Sequence, residues 1–96
     1  MSRREYKTDI VINEIWITKI IIDPHFEEKH KSSINDEVII QLVESLDGGE
    51  FEPETIDSHF EYYKGERIKL NDKLYRLIWL LEKGQIYIGV VNAHRR

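Results

Sequence analysis

Apolar residues fall along this chain in distinct rhythms. Residues 10–22 (IVINEIWITKIII) are almost continuously apolar and rich in Ile, Val, Thr and Trp, side chains that suit a pleated, half-buried surface. Asn13-Glu14 interrupts the run, which predicts a short strand, a kink and then a longer strand over 15–22. Asp23-Pro24 changes the period, because Asp is a good N-cap and Pro is favoured at the first helical position. Residues 25–31 (HFEEKHK) therefore read as a short polar helix anchored by Phe26. Ser32-Ser33 breaks it, and Ser33-x-x-Asp36 resembles a capping box. From Ile34 the apolar positions are 34, 38, 39, 42, 43 and 46, the stripe of an amphipathic helix. Gly48-Gly49 is its stop signal.

Strand character returns in the second half. Residues 50–58 form an acidic connection, followed by strand segments at 59–63 and 67–70 with Lys64-Gly65 as a turn between them. Asn71-Asp72 is a further turn dipeptide. Residues 73–82 (KLYRLIWLLE) are apolar on both alternations, as expected of a central strand covered on both faces. Lys83-Gly84 supplies a tight hairpin into a last strand over 85–93. The order β-α-α-β-β-β predicts one α+β domain over residues 1–96. Its two N-terminal helices would pack on one face of a mostly antiparallel four-stranded sheet.

Arg76 breaks the pattern of its strand. A guanidinium in a central strand is costly unless it is paired or faces a wet cleft. Alternation puts Arg76 with Leu74, Ile78 and Leu80, and puts Tyr75, Leu77, Trp79 and Leu81 on the other side. Counting outward from the Lys83-Gly84 hairpin sets Arg76 roughly beside Val91 to Ala93. His94-Arg95-Arg96 then emerges at the same end of the sheet. Planar guanidinia there suit phosphate, to which they donate bidentate, charge-assisted hydrogen bonds. The competing expectation is an ion pair from Arg76 to a carboxylate of the acidic connection, beside a loose tail.

Composition narrows the options. At 96 residues, 41% hydrophobic and 33% charged, the chain fits one folded domain better than a disordered segment. Without cysteine there is no disulfide, thiolate nucleophile or Cys-ligated zinc. No apolar stretch is long enough for a membrane span and no secretory leader is visible, so a cytoplasmic location without membrane partners is the expectation. The net charge of −4 is unevenly distributed: residues 1–63 carry −9 and residues 64–96 carry +5. A local cationic surface is therefore compatible with an acidic chain.

Residues 73–96 (KLYRLIWLLEKGQIYIGVVNAHRR), a quarter of the chain, resemble the RelE/ParE superfamily of toxins from bacterial type II toxin–antitoxin systems. In that superfamily a penultimate strand of the type Y-R-L-x-[YW] leads through a tight hairpin to a last strand ending in a basic or His/Arg cluster. Tyr75-Arg76 and His94-Arg95-Arg96 are the matching positions. The resemblance implies a RelE-like nuclease fold of the barnase/colicin kind. It also implies a metal-independent endoribonuclease without cofactor, acting on mRNA, often ribosome-bound, and neutralised by a cognate antitoxin. Its chemistry is attack of a ribose 2′-OH on the neighbouring phosphodiester, which needs a base, cations for the phosphorane charge and an acid for the leaving oxygen. Arg76 would stabilise the phosphate, Arg95 or Arg96 would form a second clamp, and His94 would act as base or acid. ParE-like members keep the fold and attack gyrase. A non-catalytic binding module, such as a ParE-like inhibitor or a phage or plasmid interaction protein, is therefore the alternative.

Further candidates lie upstream. His25 and Lys29, four apart and on one helical face, would supply a base and a phosphate contact; otherwise they belong to a solvated helix. His25 and His30 share no face well, so no metal site is expected. Among the aromatics, Tyr62-Tyr63 beside Lys64 is the best candidate for stacking on RNA bases, with Tyr63 and Lys64 as RNA contacts.

Overall fold

A computed structural model describes residues 3–22 and 34–96. The chain opens with strand β1 (Arg4–Ile12) and strand β2 (Ile15–Ile22), joined by Asn13 and Glu14. Helix α1 (Asp36–Glu44) follows, then strands β3 (Thr55–Ile56), β4 (Phe60–Leu70), β5 (Lys73–Glu82) and β6 (Tyr87–Arg95). They form one six-stranded sheet in the order β1-β2-β6-β5-β4-β3. All neighbours pair antiparallel except β2 and β6, which run parallel.

This overturns the expected two helices on a four-stranded, mostly antiparallel sheet. There are six strands, the sheet is mixed, and α1 is the one helix among the described residues. The other expected helix, over residues 25–31, lies outside them.

Two local misreadings account for the two extra strands, and a third concerns the length of β4. Asn13 and Glu14 both have positive φ (51° and 66°), the signature of a two-residue hairpin turn whose twist matches its strands. The chain therefore reverses where a kink was expected, with Ile12 opposite Ile15. The first half of β1 was hidden because its outward positions, Glu5, Lys7 and Asp9, are charged. Its inward positions, Arg4, Tyr6 and Thr8, are not aliphatic either. Lys64-Gly65 is not a turn: β4 runs through it without a break, as an eleven-residue strand. Thr55-Ile56, in the acidic connection, pairs briefly with β4 at the sheet edge.

Other elements stand close to expectation. The apolar stripe of α1 buries Ile39, Leu42 and Val43. The N-cap is Asn35, not Ser33, and its side chain accepts from the Val38 amide at 2.9 Å. Asn71-Asp72 turns with φ of 52° and 64°, leaving Leu70 opposite Lys73. The loop after β5 is longer than Lys83-Gly84, since β6 starts only at Tyr87.

One face of the sheet carries the core. Ile10, Ile12, Ile17, Ile20 and Ile22 of the first hairpin cluster with Leu77, Trp79, Leu81, Ile88 and Val90 and with the buried stripe of α1. The helix runs alongside β1. At its start, Arg4 grips Asp36 with two contacts (Nε to Oδ2 2.5 Å, Nη2 to Oδ1 2.8 Å) and the Tyr6 hydroxyl donates to the same carboxylate. Beyond its end, Gly48 donates to the Val11 carbonyl (2.8 Å) and Asn13 donates to the Gly49 carbonyl (3.0 Å). Tyr63 stacks on Trp79 at 5.3 Å with rings nearly parallel, and Phe51 meets Trp79 edge-on.

Candidate functional site

The opposite face bears no described helix. On β5 the burial alternates strictly: Tyr75, Leu77, Trp79 and Leu81 are buried, whereas Leu74, Arg76, Ile78 and Leu80 are half-exposed. Arg76 therefore leaves from the open face. Among the described residues the strand is covered on one face, not on both as its composition had indicated.

Two register shifts aim the neighbours of Arg76 at it. Between β4 and β5 the pairing slips by one residue between Gly65 and Ile68, so Glu66 and Arg67 together lie against Arg76. Between β5 and β6 it slips between Ile78 and Trp79, with Val91 as the extra residue. That bulge sets His94, not Val91 to Ala93, opposite Arg76. A bulge bends its strand and redirects side chains, and bulges are enriched beside functional sites. Here both strands flanking one arginine carry one.

The C-terminus is not a loose tail. Strand β6 extends through His94 and Arg95, and the Arg96 amide donates to the Leu74 carbonyl at 2.9 Å. Its guanidinium turns to the open face, where Nη1 reaches Glu66 Oε2 at 2.5 Å. Lys64 Nζ lies 3.1 Å and Arg76 Nε 3.3 Å from Glu66 Oε1. Three cations thus surround one carboxylate, and His94 stands across the strand pair from the central one. The Arg76 Nε hydrogen is buried without a hydrogen bond of good geometry. Hydrogen bonding from Lys64 holds the Glu66 carboxyl below its ordinary pKa against partial burial, and the charges of Arg76 and Arg96 act in the same direction.

The expected site residues are therefore divided. Arg76, His94, Arg96 and Lys64 share one region of the open face. Arg95 lies opposite Tyr75 and leaves from the other face. Tyr63 is 2% exposed, stacked on Trp79 and donating to Glu61 at 3.0 Å, so it is a core residue and cannot stack on a base. Its neighbour Tyr62 occupies the open face opposite Leu80. His25 and Lys29 lie outside the described residues. The carboxylate partner of Arg76 comes from β4, not from the acidic connection. Glu66 was the residue sequence reasoning missed, and the signal for it was Gly65, since a glycine inside a strand often marks a bulge.

Among the described residues no group of His, Asp or Glu has metal-binding geometry, and no helix is long and apolar enough to cross a membrane. No family model, no curated protein and no solved structure matches the chain.

Proposed function

We propose that the protein binds RNA on its open sheet face and cleaves it without a metal, as the toxin component of a toxin–antitoxin pair. The supporting observation is the convergence of Lys64, Arg76 and Arg96 on one carboxylate, with His94 opposite Arg76. The reading rests on this cluster and on the motif at residues 73–96, not on the overall fold.

Two guanidinia that reach the same carboxylate are spaced to grip the oxygens of one phosphodiester. In the proposed reaction neutral His94 takes the proton of a ribose 2′-OH. The 2′-oxygen attacks phosphorus and the bond to the 5′-oxygen breaks. The leaving oxygen takes a proton from water, giving a 2′,3′-cyclic phosphate and a 5′-hydroxyl end. Arg76 and Arg96 offset the charge that builds on the phosphorane. The substrate would be mRNA, free or on the ribosome, and the partner an antitoxin protein that masks this face.

The test is incubation of purified protein with RNA in the presence of a chelator. Cyclic-phosphate ends should appear, and Arg76→Ala should slow their formation by roughly 10²–10³-fold, the usual loss for one donor to a developing oxyanion. RNA left intact both free and on ribosomes, by a protein harmless when expressed, would sink the reading. One observation favours a binding module instead: Trp16 is 59% exposed beside its cross-strand neighbour Val11, and exposed Trp is a common anchor in protein interfaces. Growth arrest without any RNA cleavage would favour that module.

A further inference from the structure

The cationic cluster already holds an anion of its own. We propose that Glu66 is a built-in competitor for the phosphate of a single-stranded RNA, seated in a clamp formed by Lys64, Arg76 and Arg96 and displaced when RNA binds. The inference rests on the RNA reading above and adds how that site is regulated.

Three observations carry it. First, both oxygens of the Glu66 carboxylate are engaged, Oε1 by Lys64 and Arg76 and Oε2 by Arg96. That is the bridging arrangement a phosphodiester would adopt between two guanidinia. Second, the carboxylate is at the surface, with 43% of its side chain exposed, so it can swing out without disturbing the core. Third, the fit to Arg76 is imperfect. The Nε hydrogen is buried with no properly aligned acceptor although Glu66 Oε1 is 3.3 Å away. A group placed to perfect the arginine would satisfy that donor, whereas a substitute anion leaves it unsatisfied. The bulge at Glu66-Arg67 is what brings the carboxylate into the clamp.

A purely organising role and a competing role predict opposite signs. If Glu66 holds the arginines in place, its neutral amide should weaken anion binding. If it competes, Glu66→Gln should strengthen it. Two probes read this out. One is a labelled 2′-O-methyl oligoribonucleotide, which cannot be cleaved by 2′-OH attack, followed by fluorescence anisotropy. The other is inorganic phosphate, followed by the NMR signals of the arginine Nε hydrogens.

Glu66→Gln is expected to tighten oligonucleotide binding about five- to tenfold at low salt, as for one competing charge removed a few ångströms from the ligand. Glu52→Gln makes the same change in net charge on an exposed part of the acidic connection and should move affinity less than about twofold. Arg76→Ala combined with Glu66→Gln should abolish the gain. If the wild type binds the oligonucleotide and Glu66→Gln binds it no better, or worse, competition is overturned while RNA binding stands. If neither binds the oligonucleotide but Glu66→Gln binds phosphate more tightly than the wild type at Arg76 and Arg96, the clamp and its competitor stand and the RNA reading falls. If neither probe binds either protein, both are overturned. Glu66→Ala, read the same way, guards against a folding defect particular to the amide.

Discussion

The two faces of strand β5 are built from the same ten residues and are put to opposite uses. On one side Tyr75, Leu77, Trp79 and Leu81 are buried against the first hairpin and α1. On the other, Leu74, Ile78 and Leu80 form a half-exposed floor around Arg76. Among the described residues no charged side chain is buried, because an unpaired charge in the core would cost several kcal/mol. The open face tolerates Lys64, Arg76 and Arg96 around one carboxylate because these side chains keep 30–42% of their surface in water. A single strand can thus carry the core on one face and a charged cluster on the other, one residue apart.

The sharpest way to break this comparison is to cut one residue on each side. Trp79→Ala removes a fully buried ring with Tyr63 and Phe51 on its surface. It should cost about 3–5 kcal/mol, the range for large aromatic deletions in cores, seen as a lower denaturation midpoint. Arg76→Ala, three residues away on the open face, should cost less than about 1 kcal/mol, since its partner Glu66 is 43% exposed and keeps Lys64 and Arg96 as partners. Under the proposed function, the large effect of Arg76→Ala should fall on RNA cleavage instead. A loss of stability at Arg76 equal to that at Trp79 would show that the open face is structural.

The sequence made much of this division legible and hid the rest for identifiable reasons. Period-two alternation placed Arg76 with Leu74, Ile78 and Leu80 correctly, because side-chain direction in a strand follows from covalent geometry alone. The apolar stripe of α1 was equally readable from its spacing. Register was not. Each β-bulge shifts pairing by one residue, and nothing local announces the one at Val91, so the partner of Arg76 was placed at Val91 to Ala93, one to three residues short of His94. The turn at Asn13-Glu14 was obscured because glutamate is an unusual occupant of positive φ. The approach of Glu66 to Arg76 depends on a bulge between strands, of which Gly65 was the local sign.

Acid offers a gentler comparison, between a carboxylate on each side. Hydrogen bonds from Arg4 lower the pKa of Asp36 from its ordinary 3.8, against partial burial and with help from Tyr6. A carboxyl with a depressed folded-state pKa contributes stability that is present above its unfolded pKa and is lost as pH falls through the folded one. Unfolding free energy should therefore decline as pH drops below the ordinary aspartate range. Asp36→Asn should flatten that decline at a cost near neutrality of about 1–2 kcal/mol, as for a charge-assisted pair that is lost while its hydrogen bonds are partly kept. Protonating Glu66, whose side chain is more exposed, should leave stability nearly unchanged and instead free the cations around it. If Glu66→Gln flattened the acid limb as much as Asp36→Asn does, the open-face cluster would be a structural lock.

The smallest effect lies at alkaline pH, where both faces carry a tyrosine with a pKa raised to about 12. Burial, then a hydrogen bond to Glu61, holds up Tyr63 on the core face; burial, then a hydrogen bond to Glu82, holds up Tyr87 on the open face. A group whose folded pKa exceeds its unfolded value contributes stability that is complete below the unfolded pKa and is lost as pH rises through the folded one. Both should therefore destabilise the fold progressively from pH 10 to about 12. They differ in what their removal leaves behind. Tyr63→Phe deprives the Asn13 amide of an acceptor 3.0 Å away, in the turn that ties the first hairpin to β4. Tyr87→Phe releases only Glu82, which water can solvate. In alkaline titrations followed by tyrosinate absorbance and circular dichroism together, each substitution should remove one late-ionising tyrosine. At neutral pH Tyr63→Phe should cost about 1–2 kcal/mol and Tyr87→Phe less than about 1 kcal/mol. Equal neutral-pH costs would mean that the open face is packed as tightly around Tyr87 as the core is around Tyr63.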